Sequence, residues 1–246
     1  MAAAMARGWS RAEDGPEQML FCDVEPEKAT ALAIEVGGEA VADLPELAER
    51  SQLTILAVKP ATLDEVAQQA AAAPAVLSIL AATPLQSVEE AFPGAAVFRV
   101  MPNQPVSVRR GCLCLTYGEG VEQGLADAVR SQLELLGRVV DLDDSLFDAA
   151  TAVMSSTPAY FALVAEAVAE AGASHGLDPD LAASMTAETL AGTGAMLREH
   201  DADGLRRAVA SPGGATEAGL DALAGAAAAG AFVEAVEASL ERMGQL

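Results

Sequence analysis

Short apolar runs and longer amphipathic segments alternate through the first part of the chain. The runs have strand length and are bounded by turn residues, and the segments between them carry apolar positions at the helical period. The predicted strands cover residues 18–23, 53–58, 75–80, 96–100, 112–116 and 138–142, and the predicted helices cover residues 2–9, 26–36, 61–72, 85–91 and 121–136. Unbroken apolar runs are typical of parallel strands that are covered on both faces. The alternation therefore predicts βαβ units and a mostly parallel sheet.

After Asp143 the strand pattern stops, and the remaining segments are predicted to be helical. They cover residues 146–154, 158–173, 179–198 and 201–210, a stretch that begins at residue 211, and residues 228–243. In the helix that begins at Pro158, only Glu166 and Glu170 are charged before residue 172, and their spacing places both on one face. Because a helix that is apolar on its other faces has to be covered nearly all round, we predict that it lies in the core of a dimer.

The chain carries a large excess of acidic residues, 36 against 14 lysines and arginines, which gives a formal net charge of −22. This charge disfavours partners with a phosphate backbone, so no nucleic acid partner is predicted. The acids are dispersed, and Lys28 and Lys59 are the only lysines. Such a composition is typical of a protein from a high-salt cytoplasm, where salt screens the repulsion between like charges.

The sequence predicts neither a membrane partner nor a metal site. No run reaches the roughly 18 consecutive apolar residues of a membrane span, and the N-terminus lacks the basic and apolar regions of a secretion signal. Cys22, Cys112 and Cys114 are odd in number and lack the spacing of a zinc site, which favours a reducing compartment. We therefore expect a cytoplasmic protein.

The stretch Ser211-Pro212-Gly213-Gly214-Ala215-Thr216 is predicted to start a helix. Ser211 is suited to the N-cap and Pro212 to the first turn, while a glycine pair lets a ligand approach the backbone. The unpaired N–H groups and positive dipole of a helix start favour a carboxylate or a phosphate. By itself the stretch is better explained as an ordinary capped helix.

Four stretches in this order resemble the pyrroline-5-carboxylate reductase family. Ala57-Val58-Lys59-Pro60 and Val100-Met101-Pro102-Asn103-Gln104-Pro105 follow predicted strands, and Pro158-Ala159-Tyr160 and the stretch from Ser211 open predicted helices. The resemblance covers the whole chain. It implies a Rossmann-like domain at residues 1–144, with the first strand absent, and an all-helical dimerisation and substrate-binding domain at residues 145–246. It also implies a homodimer or larger homo-oligomer formed through the C-terminal helices.

The reaction implied by the resemblance is hydride transfer from NADPH or NADH to the C=N bond of 1-pyrroline-5-carboxylate, which gives L-proline. Thr216 would be the catalytic residue, because the resemblance places its hydroxyl at the ring nitrogen. The implied substrate-binding residues are Ser211, Gly213, Gly214, Ala215 and Thr216. In open α/β sheets ligands bind at the ends of strands, which agrees with a cofactor site that the resemblance places at Met1, Asp23, Ala57, Val58, Lys59, Pro60, Met101, Pro102 and Asn103.

Asp23 ends a predicted strand, where an acid commonly binds the ribose hydroxyls of NAD. Because valine rather than arginine follows it, we predict that NADH is accepted.

Two departures from the family pattern affect these expectations. The family's opening strand and glycine-rich turn, about a dozen residues that normally place the pyrophosphate, have no counterpart before the helix that begins near Met1. Thr157 stands before Pro158, where the family usually has glycine. Two alternatives therefore stay open. One is a related reductase of 3-hydroxy acids or one that uses a deazaflavin, although the Ser211–Thr216 motif is not typical of these. The other is a noncatalytic dimeric binding protein.

Overall fold

The computed structural model describes residues 1–245, which form two units. The sheet unit comprises Met1–Ser156 together with the C-terminal residues from Leu240, and the helical unit comprises Thr157–Ser239. The resemblance placed the domain boundary at residue 144, whereas the structure groups residues 145–156 with the sheet.

The sheet unit contains seven strands and seven helices among its described residues. The strands are β1 (Leu20–Phe21), β2 (Glu39–Ala40), β3 (Thr54–Leu56), β4 (Ala75–Ser78), β5 (Ala96–Pro102), β6 (Gly111–Tyr117) and β7 (Gly137–Asp141). The helices are α1 (Ala2–Trp9), α2 (Pro26–Val36), α3 (Leu44–Arg50), α4 (Leu63–Gln69), α5 (Leu85–Ala91), α6 (Gln123–Glu134) and α7 (Phe147–Met154), with short 3₁₀ helices at Pro60–Thr62, Gln104–Val108 and Asp144–Leu146.

Five strands form one sheet in the order β3-β4-β5-β6-β7, and β1 and β2 form a separate parallel pair. All neighbours in the larger sheet are parallel except β5 and β6. The connection between β5 and β6 is too short for a helical crossover, so β6 turns back antiparallel. The mostly parallel sheet that the sequence predicted is confirmed. Strand β3 lies at an edge, and the buried Thr54 hydroxyl on it has no hydrogen-bond partner in the described chain.

The main core lies between the central strands and helices α1 and α6. All four residues of β4 are buried, including the polar Ser78. Helix α1 packs closely, because a Cβ on Gly8 would lie 2.3 Å from the carbonyl oxygen of Val106. The indole N–H of Trp9 donates to the carbonyl of Gln132 over 2.7 Å. The opening helix is therefore part of the core.

The sequence prediction missed β2 and α3. Strand β2 consists of two exposed residues, so it shows no apolar pattern. Helix α3 could have been found from its capping residues. Asp43 accepts a hydrogen bond from the Glu46 N–H over 2.9 Å, and Glu46 accepts one from the Ala42 N–H over 3.2 Å. With Pro45 in the first turn, this arrangement is a recognised helix start.

The helical unit contains α8 (Thr157–Ser174), α9 (Pro179–Met196), α10 (Ala202–Val209), α11 (Ala215–Gly225) and most of α12 (Ala228–Met243). Gly172 lets α8 approach α9, since a Cβ there would lie 3.2 Å from Leu177 and 3.5 Å from Ala182. The Tyr160 hydroxyl donates to the carbonyl of Ala235 over 3.2 Å and joins α8 to α12.

The helical unit buries almost nothing within the single chain. Ala182 is its only buried residue, and α8 has none. Large apolar side chains are exposed on its helices: Phe161, Leu163, Val168, Leu181, Met185, Val209, Leu223 and Val233.

By length and composition alone, one helical stretch of the described chain, Asp144–Ser174, could cross a membrane, with a mean hydropathy of 1.3. Helices α11 and α12, bent by 51°, pass the same test as a pair.

Candidate functional site

Helix α11 begins later than the sequence predicted. Gly214 is its N-cap, in an extended conformation, and the first helical residue is Ala215. The expectation that Ser211 caps the helix and that Pro212 lies in its first turn is therefore wrong. The reason is Gly213, whose φ of 72° is left-handed and interrupts the helix. A turn closed by the Gly214 N–H and the Ser211 carbonyl, 3.0 Å apart, precedes the helix instead.

Of the predicted amide donors at this helix start, that of Ala215 is free, whereas those of Gly213 and Gly214 are used within the chain. The Gly213 N–H donates to the Glu217 carboxylate over 2.6 Å, and the Gly214 N–H is used in the turn. The first helical hydrogen bond runs from Ala218 to Gly214. The amides of Ala215 and Thr216 therefore have no acceptor in the described chain and are available to an anion.

Thr216 is the second residue of α11, and its side chain is exposed. Its hydroxyl makes no hydrogen bond with any residue that the structure describes. Other helical threonines behave differently: the hydroxyls of Thr189 and Thr193 each donate to the carbonyl four residues earlier, over 2.8 Å. The Thr216 hydroxyl is therefore free to bind a ligand beside the two free amides.

On the sheet unit, the predicted cofactor residues lie at the carboxyl ends of parallel strands. Because β3, β4 and β5 are parallel neighbours, their carboxyl ends lie along one edge. Ala57, Val58, Lys59 and Pro60 follow β3 and are all exposed. Lys59 forms no ion pair with any described residue, so its ammonium group is available to a phosphate or a ribose.

The residues at the end of β5 are buried. Met101, Pro102 and Asn103 all lie in the interior, and Asn103 is 8% exposed. The Asn103 carboxamide accepts a hydrogen bond from the Cys112 N–H over 2.9 Å and donates to the Met154 carbonyl over 3.1 Å. Its side chain therefore fixes the turn after β5, and its polar atoms are directed at the protein.

Sequence reasoning missed the turn after β4. Ala82 has a φ of 50°, which is uncommon for a residue with a Cβ and marks a constrained turn. The buried Thr83 hydroxyl donates to the Ala81 carbonyl over 3.0 Å and braces this turn. The strand-end rule that selected the ends of β3 and β5 would have selected residues 81–83 as well, since β4 lies between them.

Met1 and Asp23 lie at two other predicted contact points. Met1 is the N-cap of α1, and its carbonyl accepts from the amides of Ala4 and Met5, so the amides of Ala2 and Ala3 have no acceptor in the described chain. Asp23 follows β1, is exposed, and uses one oxygen to accept from the Glu25 N–H over 2.9 Å. Free amides at a helix start can bind a pyrophosphate, and a free carboxylate oxygen can accept a hydrogen bond from a ribose hydroxyl.

No group of three or more His, Cys, Asp or Glu side chains suited to a metal ion occurs among residues 1–245. Burial raises the pKa of the Cys114 thiol to about 11, with a smaller contribution from the neighbouring Cys112. This thiol is therefore protonated and unreactive near neutral pH.

Comparison with known proteins finds two family models and several relatives that match this chain. A family model described as pyrroline-5-carboxylate reductase dimerisation matches residues 144–246, and one described as NADP oxidoreductase, coenzyme F420-dependent, matches residues 1–82. A pyrroline-5-carboxylate reductase from Synechocystis is 36% identical over 83% of this chain and 78% of its own length. One from Thermus thermophilus is 35% identical over 97% of this chain and 90% of its own length.

Solved structures share the whole fold. A 1-pyrroline-5-carboxylate reductase from Streptococcus pyogenes superposes with a TM-score of 0.89 at 25% identity, over all of this chain and 95% of that one. A pyrroline carboxylate reductase from Plasmodium falciparum with NADP bound gives 0.87 at 24% identity, over 98% and 92% of the two chains. The Rossmann-like sheet followed by a helical region is thereby confirmed. The chain belongs to the pyrroline-5-carboxylate reductase family.

Proposed function

We propose that the chain reduces the C=N bond of 1-pyrroline-5-carboxylate to give L-proline, the last step of proline synthesis, with NADPH or NADH as the hydride donor. The observation that carries this proposal is the start of α11, where two free amides and the free Thr216 hydroxyl lie side by side. Curated relatives that this chain matches over most of its length are named for the same reduction. A bound nicotinamide would supply the hydride.

The residues of the chain bind and orient the substrate. The amides of Ala215 and Thr216 hold the substrate carboxylate, which the positive end of the helix also favours. The Thr216 hydroxyl bonds the ring nitrogen and fixes which carbon faces the hydride donor. The imine carbon gains the hydride, the C=N double bond becomes a single bond, and the nitrogen takes up a proton from solvent.

The cofactor site proposed for the sheet unit consists of the exposed turn at residues 57–60, the end of β5, the start of α1 and Asp23. The surroundings of Asp23 favour NADH. Glu25 and Glu27 add negative charge, and the nearest cation, Lys28, is paired with Glu25 over 2.5 Å. A 2′-phosphate on the ribose would meet this charge, so we expect NADH to be used at least as well as NADPH.

The helical unit is proposed to form a homodimer, alone or within a larger oligomer. The single chain exposes 14537 Å², whereas a folded monomer of this size exposes about 10,000 Å². The excess is about 4,000 Å² on each chain, or about 8,000 Å² for a pair, which is more than the total of about 2,000–5,000 Å² that obligate interfaces commonly bury. The exposed apolar residues of α8 and α9 are suited to that interface. We interpret the apolar stretch Asp144–Ser174 in the same way, rather than as a membrane span.

The acidic surface suggests a cytoplasm with high salt, in which the repulsion between chains of net charge −22 is screened. We expect activity and association to rise together as potassium chloride is added. Sucrose, which does not screen charge, is the control.

The proposed function is tested by incubating the purified chain with 1-pyrroline-5-carboxylate and either nicotinamide, and by measuring cofactor oxidation and proline formation. We expect one proline for each cofactor oxidised. Thr216→Ala removes one positioned hydrogen bond, so kcat/KM should fall roughly tenfold to a hundredfold. Thr189→Ala is the matched control, because its hydroxyl is bonded within its own helix. Absence of proline in the wild type contradicts the proposal and favours a noncatalytic binding protein.

A further inference from the structure

Arg99 on β5 is a buried cation outside the proposed contacts. Its side chain is 3% exposed, and its guanidinium bonds the Asp144 carboxylate over 2.7 Å. The same guanidinium stacks on the Phe147 ring, 4.5 Å from the ring centre. Its Nε is buried and has no acceptor in the described chain. The interactions of this cation are therefore made with the residues that start α7.

The second oxygen of Asp144 reaches the turn after β4. It accepts a hydrogen bond over 3.0 Å from the N–H of Leu85, the first residue of α5. Residues 79–84 between β4 and α5 include the left-handed Ala82. One carboxylate thus connects β5, the start of α7 and the end of the turn after β4.

The other end of α7 is fixed to the turn after β5. The Met154 carbonyl accepts from the Asn103 side chain over 3.1 Å, and the Ser155 hydroxyl donates to the Pro102 carbonyl over 3.2 Å. The start of α7 therefore contacts Arg99 of β5, and its end is hydrogen-bonded to Pro102 and Asn103. Its eight residues span about 12 Å, so the two sets of interactions that fix the end of β5 lie about one helix length apart.

This ion pair is partly buried, because the Asp144 side chain is 29% exposed. Such a pair is weak support for stability, because the cost of desolvating Arg99 offsets the attraction between the charges. An apolar side chain could fill the same space without this cost. The presence of the ion pair is therefore better explained by its effect on the relative positions of β5, α7 and the turn after β4. The pair connects the turn at residues 79–84 with the turn that begins at Asn103. These turns follow the parallel neighbours β4 and β5, at the strand ends where open α/β sheets bind ligands.

We propose that Arg99 and Asp144 are positioning residues for the nicotinamide cofactor. They act through α7 and α5 by setting the two turns, and they do not touch the cofactor. This inference rests on the proposed function, because it takes the carboxyl edge of the sheet as the cofactor site.

The test compares Arg99→Met with Val129→Ala in the full-length chain. Methionine keeps the apolar stem and removes the ion pair, while Val129 is a buried core residue on α6, away from both turns. Titration of protein fluorescence gives the Kd of NADH and of NADPH, thermal unfolding gives stability, and steady-state kinetics give KM for the imine.

We expect Arg99→Met to raise the Kd of the preferred cofactor about tenfold, because misplaced contacts lose binding and rate together. KM for the imine should stay within twofold, and Val129→Ala should change neither constant although it lowers the unfolding temperature. Ser155→Ala removes only the partly buried hydrogen bond from Ser155 to the Pro102 carbonyl, so the fold should be kept. This variant should raise the Kd of the cofactor about twofold to threefold.

Equal cofactor affinity in Arg99→Met and Val129→Ala overturns the inference. If Arg99→Met does not fold, the inference is overturned when Ser155→Ala leaves the Kd of the nicotinamide cofactor unchanged. A wild-type chain that binds neither nicotinamide contradicts the proposed function itself, which separates the two failures.

Discussion

The two units of the chain differ in how they bury apolar surface. The sheet unit has buried side chains on both faces of its central strands, including Phe98 and Leu113 in one cluster and Val97 in the other. The helical unit has Ala182 as its only buried residue, although α8 and α9 carry large apolar side chains. A pattern in which one face is apolar produces a core within the chain, whereas a helix that is apolar almost all round requires a second chain.

The same difference separates the unit that carries the proposed cofactor residues from the unit that carries the proposed substrate residues. The residues proposed for the cofactor lie on a unit that can hold its shape within one chain. The residues proposed for the substrate lie at the start of α11, in the unit whose apolar surface is uncovered. Substrate binding is therefore expected to depend on assembly more than cofactor binding does.

The largest effect is expected from a charge placed on the uncovered surface. Phe161 on α8 is 57% exposed in the single chain. Phe161→Asp should weaken association by at least about a hundredfold, because burying an unpaired carboxylate costs several kcal/mol. Light scattering during gel filtration measures the oligomer, and circular dichroism measures the helix content, which should fall as well.

Ile34→Asp is the control for this prediction. Ile34 lies on α2 of the sheet unit and is 79% exposed, so it is also a large apolar residue and is more accessible than Phe161. It should leave association unchanged. If the two variants behave alike, the contrast between the two units is wrong.

A moderate effect is expected at the start of α11. The Glu217 carboxylate binds the Gly213 amide and adds negative charge where the substrate carboxylate is proposed to bind. Glu217→Gln keeps an acceptor for that amide and removes the charge. KM for 1-pyrroline-5-carboxylate should fall about fivefold, the equivalent of about 1 kcal/mol, with kcat unchanged.

Two controls sharpen this prediction. Asp221→Asn removes the same charge one turn later on α11 and should change KM by much less. The uncharged imine 1-pyrroline has no carboxylate, so its KM should be the same for wild type and Glu217→Gln. A lower KM for both imines would indicate a general change in the helix rather than relief of repulsion.

The smallest effect concerns the core of the sheet unit. The pKa of Cys114 is raised by burial from 9.0 to about 11. The folded state therefore holds this proton more tightly than the unfolded state does. The contribution of this thiol to the free energy of unfolding is complete below about pH 9 and is lost as the pH rises towards about 11. Urea unfolding should show a steeper loss across this range for wild type than for Cys114→Ala. Identical slopes would mean that this site is more hydrated than its burial indicates.

Much of the fold could be predicted because its helices and strands are determined by the residues within each segment, such as the apolar pattern and the glycine that ends a helix. The bounds of α2, α5 and α12 follow directly from the pattern, and Gly37 ends α2 in the left-handed conformation that a glycine stop requires. Strands β1, β3 and β4 were predicted longer than they are, since an apolar run continues beyond the last paired residue, whereas β5 and β6 were predicted shorter than they are.

The details of the site could not be predicted, because they depend on backbone angles and distant contacts. The left-handed Gly213 moves the helix start from Pro212 to Ala215, and the pattern of residue types does not show it. Asn103 bonds Met154, which lies 51 residues away in sequence, so its buried role is not visible in the local pattern. Ala82 was missed because alanine is not a usual turn residue.

The central claim is that the substrate carboxylate binds at the start of α11 while the cofactor binds at the edge of the sheet. Amide hydrogen exchange of the intact protein, measured with L-proline alone and with NADH alone, tests it most directly. We expect L-proline to slow exchange in residues 211–218, and NADH to slow exchange in residues 57–62 and 101–106. If L-proline binds without protecting residues 211–218, the assignment of the substrate site is contradicted.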